Sequence, residues 1–417
     1  MLVMFKVNNY MSFKDTAILD MRATSYVQHP THYTTINDTK LLKTIAIYGA
    51  NASGKSNFIS AMYTFKQIIL SQILKSKDNN IKTEIKLEPF MLSKDSNNVS
   101  EFEMVFISNG ELLNYGFEIS TTDEIVNEWY YINDKKVFER SNTKIDFGSK
   151  YKEYIKDYKK VPSDRLYIAV LEYFLEDNAK KIILSNFIDY FYNQYNVFSE
   201  IILESTIKKF ASSVLINQRL INDMEYKKRV EKYLQKIDVA IKRLDIQKEV
   251  AINENGKEVQ RLVIKTIHNV YDENNNITGE KSFNIQQEST GTLRFIAYIQ
   301  NIINMVDNGG VFIIDELTAR LHPLLTKLII DIVQSSSNSS AQFIFTTHDT
   351  SILNKNQFRR DEVVFIEKNN REESSMFALS DLKVREDASF SKDYLQAKYG
   401  AIPIINYDAI FGGDINE

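Results

Sequence analysis

Residues 41–56 read LLKTIAIYGANASGKS, an apolar run that breaks at Gly49 into a turn bounded by glycines and ending in Gly54-Lys55-Ser56. The run suits a strand, and the turn suits a loop wrapped around an anion. Such a loop needs glycine at both ends, because successive backbone N–H groups must point inward and a β-carbon would obstruct them. In this spacing Gly49, Ala50, Asn51, Ala52, Ser53, Gly54 and Asn57 line the cradle, Lys55 reaches the β- and γ-phosphates of ATP, and Ser56 holds Mg²⁺. The residues that follow, NFISAMYTF, predict a helix whose positive end faces the nucleotide.

Downstream, Val311-Phe312-Ile313-Ile314-Asp315-Glu316 is a short apolar run ending in two carboxylates. A buried parallel strand would deliver those acids to the carboxyl edge of its sheet. There Asp315 would hold the Mg²⁺ shell, and Glu316 would be the general base that orients the attacking water. Another apolar run, QFIFTT at 342–347, ends at His348, where a side chain can sense a γ-phosphate or hold water. Before the carboxylate strand, Glu288-Ser289-Thr290-Gly291-Thr292 opens a predicted helix over 293–305 whose N-terminus could bind an anion.

Bulk composition narrows the alternatives. With 417 residues the chain is long enough for two or three lobes. A hydrophobic content of 43% with 25% charged residues is that of a soluble globular protein, and no apolar run reaches the roughly 18 residues of a membrane span. The first residues, interrupted by Lys6, Asn8 and Asn9, do not read as a signal peptide, so a cytoplasmic protein without membrane contact is expected. The chain has no cysteine, which excludes disulfides, thiol nucleophiles and thiolate metal sites. A net charge of −4 gives no global footprint for nucleic acid, so any such contact must come from a local patch or a partner.

The rest of the chain changes period twice. Residues 1–10 predict an opening strand that 17–21 can pair with, and His29 and His32 fall around Pro30 in a solvated loop. From Val99, alternation and the turn signals Asn109-Gly110 and Asn133-Asp134 predict an antiparallel meander of about four strands. From about 150 to 236 helical spacing takes over: Ile183, Phe187, Phe191 and Tyr195 recur every four residues. Lys227, Lys228, Arg229 and Lys232 make a charged helix face. Strand character then returns. The division expected is 1–140, the first part of an ATPase domain with a β lobe; 141–236, a helical insertion; and 237–417, the second part of the ATPase domain.

The four motifs, in this order, resemble the ATP-binding-cassette class of ATPases, which includes the SMC-like chromosome proteins and the OLD-type defence ATPases. Gly49 to Ser56 matches its Walker A, Ser289-x-Gly291 its signature, Ile313 to Glu316 its Walker B and His348 its switch histidine. A narrower likeness is to the prokaryotic AAA-family ATP-binding proteins of abortive-infection and restriction-linked defence loci, the RloA/AbiL-like group. It rests on NNYMSFKD, GANASGKSN, ESTGTLRF, IDELTARLHPLL, FTTHDTSIL, DEVVFIEK and YLQAKYGAIPII. Thr290 and Thr318 depart from the usual residues of the signature and of the segment after DEL. No glutamine stands in the stretch from Phe90 to Leu92, where a Q-loop would be sought.

The resemblance implies an α/β P-loop NTPase of ABC/SMC type with a mixed nucleotide-binding sheet, an antiparallel β lobe over about 85–140 and a helical insertion. It implies a homodimer or higher even oligomer in which Ser289 and Gly291 of one copy complete the γ-phosphate site of the other. It further implies Mg-ATP hydrolysis in the sensor or regulatory subunit of an antiphage system. The effector would be a separate Toprim-type or RloB-like nuclease, and the trigger nucleic acid or a phage protein. About 70 residues follow His348, too few for a nuclease domain. Two other readings stand beside it: an SMC-like DNA maintenance ATPase, and a nucleotide-gated scaffold that holds a toxic partner with negligible turnover.

Overall fold

The computed structural model describes residues 1–77, 87–94, 98–198, 218–237, 241–252, 258–318, 321–385 and 388–403. In chain order the first strands are β1 (Leu2–Asn8), β2 (Ala17–Asp20), β3 (Tyr33–Ile36), β4 (Thr39–Leu42) and β5 (Thr44–Tyr48), and helix α1 (Lys55–Lys77) follows. Next come β6 (Val99–Ser108), β7 (Glu111–Ser120), β8 (Ile125–Ile132), β9 (Lys135–Ser141) and β10 (Lys144–Phe147). The helical stretch holds α2 (Lys152–Ile155), α3 (Tyr167–Phe174), α4 (Asp177–Ile183) and α5 (Ser185–Asp189), then a π-helical turn Tyr190–Gln194 and β11 (Tyr195–Phe198). Beyond it lie α6 (Gln218–Asn222), α7 (Met224–Ile237), β12 (Ile241–Ile252), β13 (Glu258–Tyr271), β14 (Ile277–Asn284) and α8 (Thr290–Asn308). The last part contains β15 (Gly310–Ile314), α9 (Pro323–Gln334), β16 (Ala341–Thr346), β17 (Val363–Lys368), β18 (Ser374–Ala378) and α10 (Phe390–Leu395).

A six-stranded sheet in the order β11-β15-β16-β5-β17-β18 carries the motifs, and only β18 runs antiparallel in it. Its central strands β5, β15 and β16 are buried along their whole length and mostly apolar because both faces are covered. Ile45, Ile47, Val311, Ile313 and Ile344 face one core, shared with α1 and the antiparallel sheet. Their neighbours Ala46, Tyr48, Phe312, Ile314 and Phe343 face the other, shared with α8 and α9. The period of two along each strand thus decides which helices it meets.

A seven-stranded sheet, β10-β9-β8-β7-β6-β1-β2, packs on the first core. The β6–β10 meander has five strands where turn counting gave about four, since Ser141 to Lys144 makes one more hairpin. The opening strand pairs with β2 as expected, and Trp129 stands half-buried in β8. Gln342 joins the two sheets: its Nε2 donates to Leu2 O (2.9 Å) and Leu42 O (3.0 Å), and its Oε1 accepts from Leu2 N (2.6 Å). The third sheet, β12-β13-β14, is antiparallel and leads into α8.

The stretch expected to be helical between 141 and 236 also holds β10 and β11, and β11 inserts beside β15. Ile183, Phe187, Phe191 and Tyr195 are all buried, but they belong to α4, α5, the π turn and β11 in succession. One apolar stripe therefore bends through three backbone conformations without losing its face. Lys66 of α1 donates to Tyr195 O at the start of β11, and burial lowers its pKa to about 8. Lys227 and Arg229 do not stand as a free cationic face: they pair with Glu231 (3.8 Å) and Asp307 (2.8 Å). His32 is not solvated either. It is buried, and its Nδ1 lies 2.8 Å from Glu362 Oε2. Burial lowers its pKa to about 4. Among the described residues no helix is long and apolar enough to cross a membrane.

Candidate functional site

The strand–loop–helix expected at 41–56 forms between β5 and α1. Ala52 has φ +61° and Gly54 φ +112°, so the loop turns through the left-handed region twice. A β-carbon on Gly54 would lie 2.4 Å from Ser374 Oγ and 2.8 Å from Ser12 Oγ, so at φ +112° any side chain there strains the backbone and displaces both hydroxyls. Those two serines form a latch. Asn57 Nδ2 donates to Ser12 Oγ (2.8 Å), the two hydroxyls are bonded at 2.8 Å, and Ser374 Oγ donates to Ser53 O (2.6 Å). Ser374 N also donates to Ser12 O (2.7 Å), tying β18 to the turn after β1. Lys55 Nζ donates to Gly49 O and Ala50 O, both at 2.9 Å. Desolvation lowers the Lys55 pKa to about 8, against the upward pull of Asp315 and Glu316.

The carboxylates end β15, two strands away, and β16 between them ends in Thr346. The Thr346 hydroxyl donates to Asp315 Oδ1 (2.7 Å) and accepts from Glu316 N (2.7 Å), so one side chain sets the position of both acids. Asp315 N donates to Phe198 O of β11 (3.0 Å). Glu316 has φ +55°, a left-handed conformation that costs a non-glycine residue of the order of 1–3 kcal/mol and bends its side chain out of the strand's path. His348 is exposed at the same edge. Its pKa is lowered, first by desolvation and then by the Lys55 charge, while Asp315 pulls the other way. Lys55 thus feels both acids, and His348 feels Lys55 and Asp315, as expected of groups that follow the carboxyl ends of neighbouring strands. Thr318 bonds the Thr347 hydroxyl at 2.9 Å.

Ser289 is the N-cap of α8, its Oγ accepting from Thr292 N (3.1 Å). Ser289 and Thr290 are exposed and Gly291 is half-buried, and among the described residues the amides of Thr290 and Gly291 have no acceptor. No hydrogen bond among the described residues joins this end to the loop at 49–56. The chain brings three motifs together and leaves the fourth facing outward.

Two cavities flank the loop. One of about 600 Å³ is lined by Met11, Ser12, Asn57, Pro89 and the exposed side chains of Met91 and Leu92, the place where a Q-loop was sought. The other, of about 620 Å³, lies between Ala50–Ser53 and Ala397–Pro403 of the YGAIP stretch. That stretch is pinned by Tyr394, whose hydroxyl donates to Ala401 O (3.0 Å), and by Ala401 N, which donates to Glu367 Oε2 (3.3 Å). Ser12, Thr346 and Glu367 lie inside the segments NNYMSFKD, FTTHDTSIL and DEVVFIEK but were given no role from the sequence, and Ser374 lies in none of the segments quoted.

A nucleotide fits these residues. Ser53 Oγ is buried without a hydrogen-bond partner, an orphan that an anion in the loop would answer. Asp315 has one oxygen taken by Thr346 and the other without a donor among the described residues, as befits a single-carboxylate ligand of Mg²⁺.

Residues 45–354 match the family model described as "AAA domain, putative AbiEii toxin, Type IV TA system". No curated protein matches the chain. Among solved structures, an Smc head bound to the C-winged helix domain of ScpA aligns at TM-score 0.46 and 12% identity, covering 90% of this chain and 97% of that one. The SMC head domain from Thermotoga maritima aligns at TM-score 0.37 and 13% identity, covering 92% and 99%. The Smc head from Pyrococcus furiosus with an extended coiled coil, bound to the C-terminal domain of ScpA, aligns at 0.42 and 13%, covering 95% and 98%. With its phosphate loop between β5 and α1 and its acids at the end of β15, this P-loop NTPase fold belongs to the AAA-domain family of putative AbiEii toxins of type IV toxin–antitoxin systems.

Proposed function

We propose that the chain binds Mg-ATP in the loop from Gly49 to Asn57 and hydrolyses it to ADP and phosphate. The observation that supports this reading is that Lys55, Asp315, Glu316 and His348 follow the carboxyl ends of three neighbouring parallel strands, β5, β15 and β16. Lys55 leaves its loop carbonyls for the β- and γ-phosphates, and base and ribose take the cavity beside Asn57. Ser56 and Asp315 would hold Mg²⁺, which would supply positive charge to offset that of the phosphate oxygens. Glu316 polarises the water, and His348 makes a hydrogen bond at the γ-phosphate. Two copies meet head to tail, with Ser289 and Gly291 of each completing the other's site.

In the cell, we propose, this ATPase is the regulatory subunit of an antiphage, abortive-infection system, working with a separate nuclease effector. The family's description as a putative toxin of a toxin–antitoxin system supports that setting. Phosphate release by the purified chain, compared with Lys55→Ala and Glu316→Gln, tests the enzyme; absence of turnover in the wild type favours the scaffold reading. Purification with the products of neighbouring genes tests the setting. A nuclease co-purifying in an ATP-dependent manner is the expected result, whereas salt-dependent binding to duplex DNA with no protein partner favours the DNA-maintenance reading.

A further inference from the structure

The residue before the α8 cap is a carboxylate, Glu288. A carboxylate beside a helix N-terminus is drawn to the same amides that an incoming phosphate needs. In this chain it is held aside. Glu288 Oε1 accepts from Thr266 Oγ1 and from His268 Nε2, the latter at 2.9 Å. Both donors stand on β13, two residues apart and so on one face of that strand. The His268 ring is fixed edge-on against Phe283 of β14, centroids 5.1 Å apart. The turn leading to the cap is fixed too, by reciprocal bonds between Asn284 and Gln287 and by Glu288 N donating to Ile285 O (3.1 Å).

We propose that His268 and Thr266 are positioning residues for the Ser289–Gly291 end of α8. By holding the Glu288 carboxylate against β13, they keep the Thr290 and Gly291 amides open for the triphosphate bound to a second copy. This rests on the ATPase reading above. Released from His268, the carboxylate swings onto its own helix end and competes with that triphosphate. A site misplaced in this way forfeits turnover while nucleotide binding by the loop at 49–57, on another element, is untouched.

The test uses the full chain carrying His268→Leu, His268→Gln and Thr266→Val. His268→Leu lowers kcat roughly 10- to 100-fold, while the affinity for a fluorescent ATP analogue stays within about twofold of wild type. His268→Gln, whose amide can donate from near the Nε2 position, restores most of the loss, and Thr266→Val gives a smaller loss than His268→Leu. Hydrogen exchange at Thr290 and Gly291 slows in His268→Leu as the carboxylate caps them; a frayed helix end would exchange faster. Unchanged or faster exchange, an equal loss of binding and turnover, or failure of His268→Gln to restore overturns the proposal. If the wild type hydrolyses no ATP, the ATPase reading falls, and the exchange result alone still decides whether His268 holds Glu288 aside.

Discussion

The loop edge of the parallel sheet and the N-terminal end of α8 are finished to different degrees. At the loop edge the side chains around the amides of Gly54, Lys55 and Ser56, which are open among the described residues, are braced inside the chain: Lys55 rests on two loop carbonyls, Thr346 serves both Asp315 and Glu316, and Ser12 and Ser374 hold Ser53 and Asn57. At the start of α8 two amides face outward with no acceptor among the described residues. Open amides braced by their own chain's side chains, with two acids at the end of a neighbouring strand, are preorganised and can hold a ligand alone. Open amides on an exposed helix end, to which no other motif of the chain is hydrogen-bonded among the described residues, wait for a ligand or another chain. The contrast predicts that nucleotide binding and nucleotide turnover can be separated by mutation, because they depend on regions built to these two standards.

Glu316→Gln breaks the comparison hardest. It keeps the shape at φ +55° and the amide bond to Thr346 but removes the base. Phosphate release should fall about 100- to 10,000-fold, with ATP still bound and paired copies accumulating by light scattering. Gly54→Ala strikes the loop itself. Its β-carbon collides with both latch hydroxyls at φ +112°, so binding measured by calorimetry should be lost and stability should drop by about 1–3 kcal/mol. If Gly54→Ala binds ATP normally, the loop is not preorganised and the two regions do not differ in this respect.

The same difference explains what could be read from the sequence. The loop at 49–56 and the Asp315-Glu316 pair were legible because each is a local pattern: glycines at fixed spacing, or an apolar strand ending in acids. The parallel sheet followed from unbroken apolar runs, and the meander from its turn dipeptides. Thr346, Ser12 and Ser374 were not legible. Their roles come from strand order, which sets β16 between β15 and β5 and β18 near the turn after β1, and a hydroxyl carries no periodic signal of that. β11 was hidden for a related reason: its residues continue a four-residue apolar spacing, and only the π turn before it shows where the helix ends. His32 looked like a loop histidine because Glu362, which buries with it, lies 330 residues away.

Milder changes sharpen the comparison. Lys55 loses its proton near pH 8 in the free chain, because burial favours the neutral amine. Triphosphate requires the ammonium form, so above about pH 8 the chain must take up a proton to bind. ATP affinity should therefore be flat below pH 8 and fall above it, approaching about tenfold per pH unit. Lys55→Arg, whose guanidinium stays charged, should flatten the profile; a wild-type affinity unchanged to pH 9.5 would contradict the burial argument.

The smallest effects come from a matched pair of serines. Ser374→Ala deletes the bond to Ser53 O and one link of the latch, and should weaken ATP binding by about 0.5–1.5 kcal/mol. Ser289→Ala deletes the cap on Thr292 N, a loss of about 1 kcal/mol in helix stability. Because no hydrogen bond among the described residues joins the start of α8 to the loop, Ser289→Ala should leave ATP binding intact and lower turnover and ATP-dependent pairing instead. The two substitutions remove the same group, so overall loss of stability cannot account for opposite patterns. If both lower binding alike, α8 lies over its own chain's nucleotide and no second copy is needed to complete the site.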